Sequence, residues 1–345
     1  WANDNLMNTF LPVYEAVPIN LRAISPSLLN IEDKDRSNPL GWKGQFSPQL
    51  IDTLLREYAS SDSIVFDPFV GSGTVLLEAG RKTLQVYGAE INPAAVALSQ
   101  TYRYINLSVG ERYGYLQETY RKLSDGLSAP ELIFQTRHGE DDNQVIQSEL
   151  LNILAASPNR WETLLLEALI VLLDYWKEDL THKTVFTKWN RLQSHVEELP
   201  YSLIPVELYH ADARQTPLKD KSVNLVLTSP PYINVFNYHQ QYRASVEALN
   251  WDVLAIAKSE IGSNRKHRSN RFLTVIQYCL DIAQVFKELS RVCEVTGRII
   301  FIVGRESRVQ GIAFNNGEIV AEVAAHALGF NLILRQERHF TNRFG

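Results

Sequence analysis

The sequence lacks the features that mark disulfide-bonded, metal-binding and membrane-spanning proteins. It has two cysteines among 345 residues, Cys279 and Cys293, both in apolar stretches typical of helices. We therefore expect reduced core cysteines and a cytoplasmic protein. No Cys and His group has zinc-site spacing, so no metal is expected, and no apolar run is long enough to cross a bilayer. Residues Trp1 to Asp4 include no initiator Met and do not resemble a signal peptide, so we expect a trimmed chain.

A glycine turn follows the first clear apolar segment. Ser63–Phe66 predicts a buried strand, Asp67–Thr74 reads Asp-Pro-Phe-Val-Gly-Ser-Gly-Thr, and residues 75–79 predict the start of a helix. A strand, a glycine turn and a helix in this order form a nucleotide-type cradle. We expect the hydroxyls of Ser72 and Thr74 to cap the helix. No Lys follows the second glycine and a third glycine is absent, which excludes a P-loop and a complete dinucleotide fingerprint.

An acidic residue follows this turn at a spacing typical of nucleoside binding. Gly71 and Gly73 would let the backbone approach a ligand closely. Glu90 comes 17 residues after Gly73, at the end of a second predicted strand. An acid in this place can bind both ribose hydroxyls of an adenosine. The alternative is a solvated loop acid.

A proline-rich turn follows another buried strand. Val223–Thr228 predicts that strand, and Ser229-Pro230-Pro231-Tyr232 ends it, because proline cannot donate to a β-ladder. The turn offers a hydroxyl, a prolyl carbonyl and an aromatic face. These groups suit a flat base with an exocyclic amine. Taken alone, the turn could equally be a proline-rich loop with no chemistry.

Together, the glycine turn and Thr-Ser-Pro-Pro-Tyr resemble the amino-methylating DNA methyltransferases, which transfer a methyl group from S-adenosylmethionine to cytosine N4 or adenine N6. Segments 42–50, 210–213 and 278–304 match further parts of that family in order. The resemblance covers about residues 40–107 and 205–340. It implies an α/β fold, the Rossmann-like methyltransferase fold with a doubly wound, mostly parallel sheet.

The resemblance also implies a binding site for S-adenosylmethionine. Asp67 would bind the methionyl amine directly or through water, Glu90 the ribose and Asp212 the adenine amine. The remaining predicted cofactor-binding residues are Lys43, Phe46, Pro68, Phe69, Gly71, Gly73 and Thr74. A turn residue is the alternative for Asp212, and a surface lysine for Lys43.

The predicted catalytic residues are Ser229, Pro230, Pro231 and Tyr232. The lone pair of the target amine is delocalised into its ring, so the Ser229 hydroxyl and the Pro230 carbonyl would accept its N–H groups and aim the nitrogen. Such orientation and preorganisation contribute on the order of 3–10 kcal/mol. Tyr232 would stack on the base, which must be flipped out of the duplex.

The first residue of the turn bears on the target base. In the resembled family, Ser at this position goes mostly with cytosine N4, whereas Asp or Asn goes mostly with adenine N6. Ser229 therefore favours cytosine N4, with adenine N6 as the alternative. An alternative of another class is a catalytically silent DNA-recognition subunit of a defence complex.

Four segments are predicted along the chain. Residues 1–40 form an extended lead-in packed over the cofactor-binding half, 41–107 that half, 108–200 a helical insertion, and 201–345 the catalytic half. Apolar positions at helical spacing, such as those in 164–176, indicate the insertion. The insertion is either a DNA-facing subdomain for recognition or dimerisation, or a helical support for the core.

The resemblance implies double-stranded DNA as the substrate of a monomer or homodimer. The setting would be a restriction-modification or related defence system, with a cognate restriction endonuclease or other defence subunits as partners. No membrane partner is expected. The net charge of −5 argues only weakly against DNA, because phosphate contact needs a basic face and not a basic protein.

Residues 258–271 form the most cationic segment, and they follow the proline-rich turn. The predicted DNA-binding residues in this segment are Arg265, Lys266, Arg268 and Arg271. The alternative is a solvated loop. Phosphate contacts position a duplex without reading its sequence.

Replacement of Arg265, Lys266 and Arg268 by Ala tests this assignment. We expect weaker binding to specific and random duplexes alike, with a salt slope of log K shallower by about one unit for each lost phosphate contact. A salt titration by fluorescence anisotropy measures the slope. An unchanged slope would identify a solvated loop, and a loss confined to one base pair would instead identify a segment that reads sequence.

Overall fold

The computed structural model describes residues 12–31, 35–127, 142–174, 180–233, 238–262 and 270–339. Its centre is a sheet of five parallel strands in the order β3-β2-β1-β4-β5. The strands are β1 (Ile64–Asp67), β2 (Gln85–Glu90), β3 (Val206–His210), β4 (Val223–Thr228) and β5 (Cys293–Phe301). A separate antiparallel hairpin comprises β6 (Glu306–Val309) and β7 (Ile312–Asn315). This sheet confirms the predicted Rossmann-like fold.

Helices cover both faces of the sheet. They are α1 (Val13–Ala16), α2 (Pro26–Asn30), α3 (Pro48–Tyr58), α4 (Thr74–Arg81), α5 (Pro93–Ser99), α6 (Val109–Leu127), α7 (Asp142–Ala155), α8 (Arg160–Leu173), α9 (His182–Glu197), α10 (Arg243–Ala248), α11 (Val253–Ser259), α12 (Phe272–Val292) and α13 (Asn316–Leu328). Short 3₁₀ helices span Gln100–Asn106 and Tyr238–Gln240. In the described residues, no helix combines the length and the apolarity that crossing a membrane requires.

The strand order creates a switch point between β1 and β4. The chain runs outward from β1 through β2 to β3, then returns to lay β4 on the other side of β1. Val65 pairs with Leu225 and Phe66 with Val226, so the carboxyl ends of the two strands lie side by side. Open α/β sheets bind their ligands at this edge.

Two hydrophobic cores fill the space between the sheet and its helices. Successive side chains of a strand point to opposite faces. Val65 and Leu225 belong to one core, while Phe66 and Val226 belong to the other. The apolar runs that predicted these strands are therefore buried on both faces, as parallel strands usually are.

One of the two cysteines lies in a different element from the one predicted. β5 starts at Cys293, directly after α12. Cys293 thus lies in a strand and not in a helix. It is buried, Cys279 is partly buried, and both are free thiols.

The described part of the insertion is helical and shares a core with the sheet. Leu116 of α6, Leu150 of α7 and Trp189 of α9 belong to the same apolar cluster as Val65 of β1. The hydroxyl of Tyr104 also donates to the Trp161 carbonyl at 2.7 Å. This packing favours the supporting role, while the four segment boundaries stay a prediction.

The lead-in differs from the prediction in where it packs. Its first helix, α1, lies on α13 of the catalytic half, where the Tyr14 N–H donates to Glu322 at 2.8 Å. The guanidinium of Arg335 lies 3.6 Å from the centre of the Tyr14 ring. The following part reaches the cofactor-binding half, through contacts between α2 and α3. The lead-in therefore spans both halves and contains short helices.

Arg112 joins the helical insertion to the segment that leads into β3. Its buried guanidinium, on α6, donates to the carbonyls of Leu107 at 2.9 Å, Ile105 at 3.2 Å and Pro200 at 2.5 Å, and also to that of Leu199. One side chain thus satisfies backbone carbonyls from two distant parts of the chain.

Replacement of Arg112 by Met tests this role. The variant removes the guanidinium from four carbonyls, of which that of Ile105 keeps the N–H of Ser202 as a donor, so we expect the free energy of unfolding to fall by about 2–5 kcal/mol in urea titrations. Arg121→Met is the matched control on the same helix, because Arg121 forms only exposed ion pairs with Glu118 and Asp125. It should be indistinguishable from wild type. Equal stability of both variants would contradict the role of Arg112.

Candidate active site

A cavity open to solvent lies at the carboxyl edge of the sheet at the switch point, with an empty volume of about 870 Å³ that includes open solvent. It brings together most of the residues predicted from the two motifs. Those that line it are Lys43, Phe46, Pro68, Phe69, Gly71, Thr74, Glu90, Asp212, Ser229, Pro231 and Tyr232.

The glycine turn and the end of β2 are locked together. Glu90 accepts hydrogen bonds from the N–H of Gly71 at 2.8 Å and of Asn92 at 2.7 Å. Gly71 has a φ of +54°, and a Cβ there would lie 3.0 Å from the indole of Trp42. A side chain at this position would therefore meet both backbone strain and a close contact.

The predicted helix cap is wrong. The residue before α4 is Gly73, with a φ of +91°, and no side chain caps this helix. The hydroxyls go elsewhere: Ser72 donates to Gln45 and Thr74 to Asn38, each at 2.9 Å. These bonds hold residues 38–45 against the glycine turn and do not cap the N-terminus of α4.

Gly73 has a packing role that the sequence did not indicate. It does not line the cavity. A Cβ there would lie 2.4 Å from the ring of Tyr102, a buried residue of the following 3₁₀ helix. This glycine thus allows the turn to pack against Tyr102.

Residues 41–46 form one wall of the cavity, and residues 238–242 hold that wall in place. The Trp42 ring stacks on Tyr238 at a centroid distance of 6.2 Å. The Lys43 N–H donates to the side chain of Gln241 at 3.1 Å, and the Tyr242 hydroxyl donates to the Gly41 carbonyl at 2.9 Å. Lys43 is exposed at the mouth of the cavity.

Asp212 lies in the cavity wall with its carboxylate already engaged. Arg214 donates to one oxygen through its Nε at 2.9 Å and to the other through a terminal nitrogen at 2.6 Å. The other terminal nitrogen of Arg214 binds the buried Asp281 at 2.8 Å. Asp212 is therefore oriented and largely neutralised by Arg214.

Asp67 lies behind the cavity and joins the two motifs. Its Oδ1 accepts from the Thr228 hydroxyl at 2.5 Å and from the Phe69 N–H at 3.0 Å. Its Oδ2 is buried and has no hydrogen-bond partner among the described residues. Burial raises the pKa of Asp67 to about 7. Burial likewise raises the pKa of Glu90 to about 7, although three backbone N–H groups oppose the rise.

The proline-rich turn follows Thr228 and faces the cavity. The hydroxyls of Ser229 and Tyr232 lie 3.4 Å apart, and Pro230 is buried behind them. The Tyr232 ring lies beside Gly304, where a Cβ would be 3.6 Å away. The turn therefore presents one hydroxyl and one aromatic ring side by side.

Several cavity residues were missed from the sequence. Tyr238 lines the cavity and stacks on Trp42. Glu260 also lines the cavity. It belongs to the segment 258–271, for which only phosphate contact was predicted. An aromatic shortly after the proline-rich turn could have indicated Tyr238, but no local pattern marks Glu260.

The DNA-binding assignment stays a prediction. Arg265, Lys266 and Arg268 lie outside the residues that the structure describes, and Arg271 directly precedes α12. Within the described ranges, no group of three or more His, Cys, Asp or Glu side chains is arranged to hold a metal ion.

Replacement of Asp67 by Asn tests the buried carboxyl. The pKa of Asp67 in the folded protein is about 7, above the ordinary 3.8. The neutral carboxyl therefore contributes to the free energy of unfolding below pH 4, and this contribution is lost as the pH rises towards 7. Asn mimics the protonated form, so the variant should gain about 2–4 kcal/mol over wild type between pH 4.5 and pH 8 in urea titrations.

Asp62→Asn, at an exposed position before β1, serves as the control and should follow the wild-type profile. Parallel profiles for Asp67→Asn and wild type would show that Asp67 is ionised in the folded protein throughout this range.

Comparison with known proteins shows a similarity that is confined to part of the chain. Residues 19–101, which include the 41–46 wall, the glycine turn and Glu90, match the family model N6_N4_Mtase, described as DNA methylase. A stretch of 52 residues is 36% identical to the Type II methyltransferase M.MjaII of Methanocaldococcus jannaschii, and it covers 15% of this chain and 10% of that protein. The matched stretch thus spans about a tenth of the relative's length. The match confirms the resemblance to the amino-methylating DNA methyltransferases and, with it, S-adenosylmethionine as the cofactor of the family that residues 19–101 match.

Proposed function

We propose that this protein methylates the exocyclic amine of a flipped DNA base, most readily cytosine N4, with S-adenosylmethionine as the methyl donor. One observation carries the proposal. The Asp67–Thr228 hydrogen bond sets the glycine turn and Ser229-Pro230-Pro231-Tyr232 side by side at one cavity. A cofactor held at the first motif and a base held at the second would therefore meet.

The residues of the cavity fit this cofactor. Glu90, at the end of β2, is placed for the ribose, and Asp212, at the end of β3, for the adenine amine. The orphaned Oδ2 of Asp67 would receive a hydrogen bond from the methionyl amine, directly or through water. Lys43 and Phe46 would bound the methionine end, and the exposed backbone at Gly71 allows close approach.

The charge of the cavity also suits a cation. Three acids line it: Glu90, Asp212, which Arg214 largely neutralises, and Glu260, which His239 binds through one oxygen. Lys43 is the one Lys or Arg among the described lining residues. S-adenosylmethionine supplies a methyl group on a positively charged sulfonium. A nearby cation favours the ionised form of a carboxyl whose pKa burial has raised, as it has for Glu90.

At the catalytic turn, the Ser229 hydroxyl and the Pro230 carbonyl would accept the two N–H groups of the target amine. The nitrogen lone pair would then point towards the methyl donor. Tyr232, supported beside Gly304, would stack on the base. A base can reach this site only after it leaves the duplex, which costs about a few kcal/mol.

Cytosine N4 is the proposed target because a Ser opens the tetrapeptide. Adenine N6 is the second candidate, since the cavity offers acceptors for either amine. The DNA substrate implies a cytoplasmic enzyme, and a restriction-modification or related defence role is the setting we propose. A silent DNA-recognition subunit is disfavoured because both motifs are intact and face one cavity.

Three variants and the product test this function. Wild type should bind S-adenosylmethionine in calorimetry, and mass spectrometry of a methylated duplex should identify N4-methylcytosine. Tyr232→Ala should lower the single-turnover rate about 10- to 100-fold, the value of a lost base stack, with cofactor affinity unchanged. Ser229→Ala should lower the rate about tenfold, because one hydrogen bond to the amine is lost.

Tyr201→Ala is the matched control, since Tyr201 is exposed and does not line the cavity; it should behave as wild type. N6-methyladenine as the product would move the target to adenine. Cofactor binding without any methylated product would favour the recognition subunit, and wild-type rates in both variants would place the catalytic turn elsewhere.

A further inference from the structure

A buried acid and a buried histidine meet beside the catalytic turn. His239 Nδ1 lies 2.8 Å from Glu260 Oε2, and the two side chains are only 1% and 7% exposed. The pair joins the 3₁₀ helix at Tyr238–Gln240 to the residue that ends α11. Neither residue belongs to the two motifs.

The pair leaves one acceptor unused. Oε1 of Glu260 is buried and has no hydrogen-bond partner among the described residues. Among the described residues, Asp67 is the other buried acid with an unpartnered oxygen, whereas both oxygens of Glu288 are bound, by Thr216 and Arg291. A buried carboxylate oxygen without a donor is costly, and a bound ligand with an N–H group removes that cost.

Glu260 lines the cavity between the catalytic turn and the adenine-side acid. On one side, Gly262 packs so closely on the Tyr232 carbonyl that a Cβ would lie 2.7 Å from its oxygen. On the other side, the Ser259 carbonyl accepts from Arg214 at 3.0 Å, and Arg214 holds Asp212. The carboxylate therefore lies where the proposed cofactor and base would come together.

We propose that Glu260 is a ligand-binding residue of this cavity and that its Oε1 accepts a hydrogen bond from an amino group of a bound ligand. The inference rests on the proposed function, because two amines would reach this place. One belongs to S-adenosylmethionine and the other to the flipped base. The shared chemistry is an N–H donor on an amine, and the experiment distinguishes its two sources.

His239 is the positioning residue for this carboxylate. An ionised carboxylate only accepts hydrogen bonds, so Nδ1 of His239 carries the hydrogen that Oε2 receives. That bond fixes the carboxylate and leaves Oε1 for the ligand. A replacement that still donates an N–H should preserve ligand binding better than one that does not.

Glu260→Met tests the proposal, because Met has a similar length and no comparable acceptor. The probes are S-adenosylmethionine in calorimetry and a methylatable duplex in single-turnover assays. If the cofactor supplies the amine, its affinity should fall about 10- to 100-fold, the value of a hydrogen bond to a charged group. If the base supplies it, cofactor affinity should stay and the single-turnover rate should fall by the same factor.

Glu162→Met is the matched control, since Glu162 is equally buried in an ion pair and does not line the cavity. It should leave both readouts within twofold of wild type. Values within twofold of wild type for Glu260→Met would overturn the proposal. A wild-type protein that binds no S-adenosylmethionine would instead overturn the proposed function itself.

Two further variants keep the test decisive. If Glu260→Met does not fold, the double variant His239→Phe with Glu260→Met replaces the whole pair by apolar side chains, a change that buried ion pairs often tolerate. We expect this double variant to show the fall in cofactor affinity or in single-turnover rate that is predicted for Glu260→Met. His239→Asn retains a side-chain N–H for Glu260 and should stay closer to wild type than His239→Phe in whichever readout Glu260→Met lowers. Equal effects of the two would overturn the positioning role.

Discussion

The hydrogen bond from Thr228 to Asp67 is the contact on which the site depends. It joins the carboxyl ends of β1 and β4, where the strand order of the sheet reverses. Both residues are buried, and the turns that follow them diverge around one cavity. Because the bond is short and shielded from water, the relative position of the two turns is set by the sheet and not by the loops.

The cavity walls come from parts of the chain that are far apart in sequence. Residues 38–46 are held to the glycine turn by hydrogen bonds from Ser72 and Thr74. They are held to residues 238–242 by stacking of Trp42 and by a hydrogen bond from the Lys43 N–H to the Gln241 side chain. The acids at the cavity are tolerated because backbone N–H groups bind Glu90, Arg214 binds Asp212 and His239 binds one oxygen of Glu260. Among the described residues, Glu260 Oε1 at the cavity and Asp67 Oδ2 behind it have no partner, and these are the oxygens that a ligand could use.

The sequence predicted β1 and β4 well because each is an apolar run that ends in a residue of distinct chemistry. Glu90 and the proline-rich turn mark such ends, and β4 begins and ends where it was predicted. Side-chain partners could not be predicted. The hydroxyl of Thr74 could cap the following helix or bind another segment, and Asp212 could bind a ligand or be a turn residue. Only the folded chain distinguishes these alternatives. The His239–Glu260 pair has no periodic or motif signal at all.

The insertion of the α6–α9 helices between β2 and β3 has a consequence for synthesis. Val65 pairs with Leu225, which leaves the ribosome 160 residues later, so β1 keeps one open edge while the whole helical segment is made. An apolar strand with an unpaired edge invites association with other chains. Helices that pack early against the same core shorten the effective loop that β4 must close. The insertion thus lowers the entropic barrier that its own length creates.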